Sequence, residues 1–226
     1  MDVSDFEYEL PPERIAQVPS EARDAARLLH HRVHENETVH RGIADLPELL
    51  NDGDLLVVND TRVRAARLHV QRAVTGGSVE LLVTGPASEP GVFRALARPA
   101  KKLKAGEELV FAGEAQRIAL VDRPSAADGS PGIEWHFRLA DVAPRDALAA
   151  LDALCERQGQ MPLPPYVRRG SKLEAELAAL DRERYQTVYA RSEARAVAAP
   201  TAGLHFTPEL LQRIEARGVR TARVTL

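Results

Sequence analysis

The sequence has a single cysteine, few aromatic residues and no apolar run long enough to cross a bilayer. One thiol cannot form an internal disulfide, so no disulfide framework supports the fold and nothing calls for an oxidising compartment. That residue, Cys155, lies in an Ala/Leu-rich stretch from Arg145 to Gln158, where the pattern predicts a buried helix position and no nucleophile. With aromatics at 4%, Leu, Val and Ala must build most of the core. A membrane helix needs roughly 20 apolar residues, and the acidic start Met1-Asp2-Val3-Ser4-Asp5 lacks the apolar centre of a signal peptide. The expected location is cytoplasmic, with no membrane partner. The sequence also lacks a GxGxxG or Walker loop, so the common nucleotide cradles are not expected. His30, His31, His34 and His40 sit on or near short strands without ligand spacing, and no metal site is expected. A net charge of -3 over 226 residues leaves any polyanion surface to a local patch.

Two textures are present. Phe6, Tyr8 and Leu10 alternate like one face of a short strand that ends at Pro11-Pro12. Leu28 to Val33 and Thr38 to Ile43 read as strands. Asp45 is placed to cap a helix through Leu50, Asn51-Asp52-Gly53 is a turn, and the apolar run Leu55 to Val58 suits a strand buried on both faces. From Arg62 the texture changes. Strand-like runs follow closely: Val63 to Val70, Ser78 to Val83, Val92 to Ala97, Glu107 to Phe111, Arg117 to Val121 and Ile133 to Leu139. Clusters such as Thr75-Gly76-Gly77 and Ala127-Asp128-Gly129 separate them, which predicts a small barrel or sandwich. After Pro144 a helix is expected with Leu148, Leu151 and Leu154 on one face. Ser171 to Leu180 is helical, and Ala196 to Ala199 is an apolar run. Thr207 with Pro208 opens a helix that Gly218 closes, and Val219 to Leu226 starts a strand. The fold class is therefore α/β with α+β mixing, in three parts: 1–60, an inserted β unit over 61–143, and a continuation over 144–226. Ending inside an apolar strand predicts a fold cut at Leu226.

Several polar segments carry candidate chemistry. Asn59, Asp60, Thr61 and Arg62 follow an apolar strand, where α/β proteins often bind ligands. Asn and Thr can bond hydroxyls or base edges and Arg can clamp an anion, but an Asx turn explains the same residues. Met161-Pro162-Leu163-Pro164-Pro165-Tyr166 is stiff, and it is either a pocket wall with a stacking face or a rigid crossover. Tyr185 and Tyr189 flank Gln186. On a helix the two rings would share a face and could read a base, or they pack half-buried. Pro200-Thr201-Ala202-Gly203-Leu204-His205-Phe206 is a small-residue loop ahead of a helix, where backbone N–H groups could receive an anion. His205 is placed as a general acid or base, or is a structural histidine. From Asp60 to Lys104, nine basic and three acidic residues give +6, a solvated face or a phosphate-tracking one.

With Asn59 to Val63, Met161 to Tyr166, Tyr185 to Tyr189 and Ala198 to Phe206 in this order, the sequence resembles the S-adenosylmethionine:tRNA ribosyltransferase-isomerases of queuosine synthesis along its whole length. The resemblance implies an α/β barrel-like domain with a β-barrel-like insertion. It implies transfer and isomerisation of the ribosyl part of S-adenosylmethionine onto 7-aminomethyl-7-deazaguanine at the tRNA wobble position, giving epoxyqueuosine with release of adenine and methionine. S-adenosylmethionine is a substrate there, and no cofactor or metal is implied; the partner is tRNA and a monomer is expected. By position, His205 and Thr201 are expected at the reacting centre, with Pro200, Ala202, Gly203 and Phe206 beside it. Arg62 is the candidate carboxylate clamp, Tyr166 and Tyr185 the base-stackers, and Asn59, Thr61, Gln186 and Tyr189 further binding residues. The family continues past this final strand with a glycine-rich run, so the competing expectations are a non-catalytic tRNA-binding remnant or an unstable fragment.

Overall fold

The structure is a computed structural model that describes residues 2–126, 128–168, 171–191 and 196–226, with 171–175 described by backbone alone. Ala127, within one expected turn cluster, lies outside the described residues. The expected N-terminal strand is corrected. Val3–Phe6 is a 3-10 turn capped by Asp2, and Phe6, Tyr8 and Leu10 are all exposed. Alternation alone does not make a strand when no neighbour accepts its backbone bonds.

Strands β1 (Arg27–Arg32) and β2 (Glu37–Gly42) form an antiparallel hairpin. Asp45 does not cap the short helix α1 (Leu46–Leu49). Its Oδ2 instead accepts the Gly42 N–H at 2.9 Å and closes the 3-10 turn ahead of it. The Asn51-Asp52-Gly53 turn forms, and β3 (Leu55–Asn59) follows. β3 is not buried on both faces. Leu55 and Val57 are more than half exposed, and only Leu56 and Val58 turn inward.

The expected β unit closes into a barrel. Its strands are β4 (Arg67–Arg72), β5 (Ser78–Pro86), β6 (Phe93–Arg98), β7 (Glu108–Val110), β8 (Arg117–Leu120) and β9 (Glu134–Leu139), in the order β4-β5-β6-β9-β8-β7. All six neighbouring pairs are antiparallel, so no edge remains to recruit another strand. Alternate residues point inward: Leu68 and Val70, then Val79, Leu81 and Val83, then Phe93 and Ala95. Phe93 and Phe137 meet in this core at 5.7 Å between ring centroids.

Helix α2 (Ala147–Gln158) packs on the same core through Ala147, Leu151, Leu154 and Cys155. Leu148, expected on that face, points out, because the buried stripe follows the i, i+4, i+7, i+8 rows. Cys155 is the buried helix residue the pattern predicts, and burial pushes its thiol up to about 11.

The chain then runs through α3 (Ser171–Arg184), α4 (Pro208–Glu215) and β10 (Arg220–Val224). The Ala196 to Ala199 run makes one parallel bridge, Val63 to Ala196, rather than a strand. α4 starts as predicted. The Thr207 hydroxyl accepts the Leu210 N–H at 3.0 Å, with Pro208 in the first turn. Gly218 ends it at φ +82°, and an added Cβ would fall 1.8 Å from Asp52 Oδ1, so only glycine lets the 51–54 turn dock there. Among the described residues, β10 pairs in parallel with β3 alone. Val58, Leu210, Ile214, Val219, Tyr189 and Phe206 form a second core beneath this pair.

Candidate functional site

The small-residue loop does not stay open. Thr201–His205 winds into a 3-10 turn, and the Gly203 N–H is spent on the Pro200 carbonyl at 2.8 Å. The Phe206 N–H goes to the Gly203 carbonyl at 3.2 Å. The expected row of free N–H groups is thus partly consumed. Close approach does occur, but from within. A Cβ on Gly203 would lie 2.2 Å from the Tyr189 hydroxyl, so this glycine makes room for the phenol. Tyr189 also meets Phe206 edge-on at 6.3 Å, and its burial raises the phenol above its ordinary value.

His205 is half-buried at the end of the turn. Its Nδ1 lies 3.1 Å from the Ala202 carbonyl. A carbonyl only accepts, so the contact assigns the proton to Nδ1 and leaves the Nε2 lone pair available, without a hydrogen-bond partner among the described residues. That is the tautomer a general base at Nε2 requires.

The turn also borders a largely apolar cavity of about 220 Å3. Tyr166, Tyr185, Thr201 and Leu204 line it, together with Pro164 of the stiff segment. Residues Ala16 to Pro19 form a further wall. Two straps hold that wall: Gln17 Nε2 donates to the Tyr166 carbonyl at 3.2 Å, and the Arg168 N–H donates to Gln17 Oε1 at 2.7 Å. Arg23 donates to the carbonyls of Leu204 at 3.0 Å and Glu183 at 3.0 Å, joining the arm to the 201–205 turn and to α3. Burial and the neighbouring Arg184 charge lower the Arg23 pKa. Tyr166 is the exposed ring, and Tyr185 is buried against Val63, Met161 and Ala199. Burial raises the Tyr185 phenol, partly offset by the Ala199 N–H, so it stands as a neutral hydrogen-bonding group at neutral pH.

The structure separates some of the expected binding residues. Tyr185 and Tyr189 do not share a helix face. α3 ends at Arg184, and the two rings enter different clusters. Gln186 reads backbone: Nε2 donates to the Val63 carbonyl at 2.5 Å, and Oε1 accepts the Val63 N–H at 3.0 Å. Both ends of its amide are thereby used. Asn59 makes the Asx turn, with Oδ1 accepting the Thr61 N–H at 3.0 Å, while Thr61 is buried and Arg62 is exposed. Between them Asp60, fully buried, ties three segments. It pairs with Arg191 at 2.7 Å, accepts the Thr225 hydroxyl at 2.7 Å and donates its N–H to the Val224 carbonyl. Sequence reasoning missed Arg23, and it set Asp60 in a candidate binding segment without its ties, because both act through partners more than 100 positions away in the chain.

The +6 segment is thinned by ion pairs. Arg64 pairs with Asp152 at 3.1 Å, Arg94 with Glu134 at 3.4 Å and Arg72 with Glu107. Arg98, Lys101, Lys102 and Lys104 are exposed and make no ion pair among the described residues. No cluster of metal-ligating side chains occurs among the described residues, and no helix is long and apolar enough to cross a membrane.

A model of a family described as queuosine biosynthesis protein matches residues 3–226. The chain is 47% identical over 222 residues to the S-adenosylmethionine:tRNA ribosyltransferase-isomerase of Synechococcus elongatus, covering 98% of this chain and 57% of that protein. It is 44% identical over 226 residues to the enzyme of the same name from Symbiobacterium thermophilum, covering 100% of this chain and 60% of that one. A crystal structure of the S-adenosylmethionine tRNA ribosyltransferase of Thermotoga maritima aligns at 30% identity and a TM-score of 0.36, over 98% of this chain and 57% of that one. The chain thus spans about 57–60% of the length of these relatives.

Proposed function

This chain belongs to the queuosine biosynthesis protein family, and on that premise we propose that it carries S-adenosylmethionine:tRNA ribosyltransferase-isomerase chemistry. In this reading the ribosyl group of S-adenosylmethionine passes to 7-aminomethyl-7-deazaguanine at the wobble position of tRNA. Epoxyqueuosine forms in the tRNA, and adenine and methionine leave. The match over residues 3–226 supports this most directly, and the tyrosine-lined cavity beside Thr201 supplies a place for it. The chain acts as a cytoplasmic monomer, with an inserted barrel over 61–143 between catalytic parts 1–60 and 144–226.

The residues present fit the demands of the reaction. The sulfonium acidifies the C5′ hydrogens beside it, so a positioned base is needed there. His205 Nε2 is that base, because its Nδ1 proton is held by the Ala202 carbonyl. Thr201 lines the cavity, and Pro200, Ala202, Gly203 and Phe206 form the turn that carries it. Tyr166, exposed at the rim, stacks a base, and the buried phenol of Tyr185 serves as a neutral hydrogen-bonding group. Tyr189 packs against Gly203 of that turn, and Gln186 holds Val63, which packs with Tyr185. Asn59 and Thr61 brace the end of β3, where Arg62 is exposed. The target nucleotide must leave the anticodon stack, and Arg98 with Lys101, Lys102 and Lys104 holds the tRNA backbone.

Adenine release from S-adenosylmethionine, measured with tRNA bearing the modified base, tests this reading. Turnover by the 226-residue chain is expected, and His205→Ala is expected to lower it by roughly 10²–10⁴-fold, the usual worth of a general base. Salt-sensitive tRNA binding without adenine release would replace the enzyme with a tRNA-binding protein. Non-cooperative melting would mark an unstable fragment.

A further inference from the structure

A second cavity, of about 260 Å3, lies between the outer wall of the barrel and α3. Arg67, His69 and Glu80 of β4 and β5 line one part, and Asp181 and Arg182 of α3 another. Leu163, Val167 and Asp181 border both this cavity and the tyrosine-lined one, so the two abut. Pockets for whole small ligands span roughly 300–1,000 Å3, so each of these alone suits only part of one.

The guanidinium of Arg67 is held in place but not used up. Its Nη2 donates to the Leu163 carbonyl at 3.0 Å. Its Nε is buried and reaches no acceptor among the described residues. An unpaired buried donor on a charged group costs free energy until an acceptor arrives. Nearby His69 Nε2 meets Gln160 Oε1 at 2.8 Å, and Arg182 Nη2 donates to the Gly159 carbonyl at 2.6 Å. Both hold the segment that leads into the proline-rich wall.

We infer that this cavity takes the α-amino-acid end of the sulfonium substrate, with Arg67 Nε donating to its carboxylate. The inference rests on the proposed transferase reading and adds a second half to its site. Two guanidiniums and two carboxylates line the cavity. A phosphate would meet both carboxylates, whereas a zwitterion offers a charge to each sign. The shared border lets one ligand place its nucleoside against the tyrosines and its amino-acid end here. Arg62, the clamp suggested by sequence position, is exposed at the end of β3 and lines neither cavity.

Calorimetric titration of the chain with S-adenosylmethionine and with its decarboxylated analogue tests the assignment. The unaltered chain should prefer the carboxylate-bearing ligand by at least roughly tenfold, the worth of one hydrogen bond to a charged group. Arg67→Ala should reduce that preference to less than about threefold, while Arg62→Ala keeps it. Arg67→Lys retains the charge and loses the Nε donor, so it should also lose the preference; it guards against a wall loosened by alanine. Preference retained in both Arg67 variants, or lost in Arg62→Ala alone, overturns the assignment and leaves the transferase reading standing. Binding of neither ligand by the unaltered chain overturns both.

Discussion

Every barrel strand has two neighbours, whereas among the described residues β3 and β10 have only each other. Both regions come from the same kind of sequence, short apolar runs between turn signals. In the barrel, closure turns alternate side chains inward and leaves no unpaired edge. In the β3–β10 pair, one face meets α4 and the other shows Leu55, Val57 and Val224 to solvent. The barrel is therefore complete as a packing unit. The region that carries the candidate chemistry leans on long side-chain ties: Asp60 to Arg191 and Thr225, Gln186 to Val63, and Arg23 to Leu204. The tyrosine-lined cavity lies wholly outside the barrel strands. Local opening free energies should differ accordingly, and hydrogen exchange should show slower barrel amides than β3 or β10 amides.

The strongest way to break this contrast is inside the barrel. Phe137 is fully buried, and Phe137→Ala should cost about 3–5 kcal/mol in urea unfolding. If barrel exchange does not accelerate, the barrel is not the stability centre. A smaller effect is expected at the site. Gly203→Ala forces a methyl against the Tyr189 hydroxyl and Thr187, at about 1–3 kcal/mol. That change should speed exchange around 201–206 and leave the barrel protected.

Acid should separate the regions more gently. The bond to Arg72 holds Glu107 below the usual carboxylate value, with the Lys104 N–H adding to the effect. A depressed folded pKa contributes stability above the unfolded value, and that contribution is lost as pH falls through the folded one. Glu107→Gln should remove this part of the barrel's acid sensitivity, read as a smaller fall in melting temperature below pH 4.5. The smallest effect is expected on the open face. Val57 is 57% exposed, and Val57→Thr should change stability by less than about 0.5 kcal/mol. A larger loss would mean that this face is covered in solution.

How far the sequence could be read divides along the same line. The Thr207 cap, Pro208, the Gly218 stop and the barrel strands are local signals that lie where capping and periodicity place them, except that the first strand runs over Arg67–Arg72 rather than Val63 to Val70. The failures are questions of partnership. Phe6, Tyr8 and Leu10 alternate but find no neighbour, and Leu55 to Val58 reads as doubly buried but has one covered face. In the site, Tyr185 and Tyr189 would share a face only on a helix, and the helix stops one residue before the first ring. Gln186 looked like a reader of bases, and its amide is consumed by the backbone of Val63, 123 residues earlier. Residue type and spacing cannot announce such ties, because the partners stand on either side of the barrel in the chain.

The buried thiol of Cys155 has a practical side. Thiol-reactive dyes attack the thiolate, and a buried group titrating near 11 offers almost none of it at neutral pH. A cysteine placed on the exposed turn at Lys101 would then be the sole reactive position in the molecule. One fluorophore there, beside Lys102 and Lys104, would report by its emission whether a polyanion settles on the barrel, without the native cysteine first being removed.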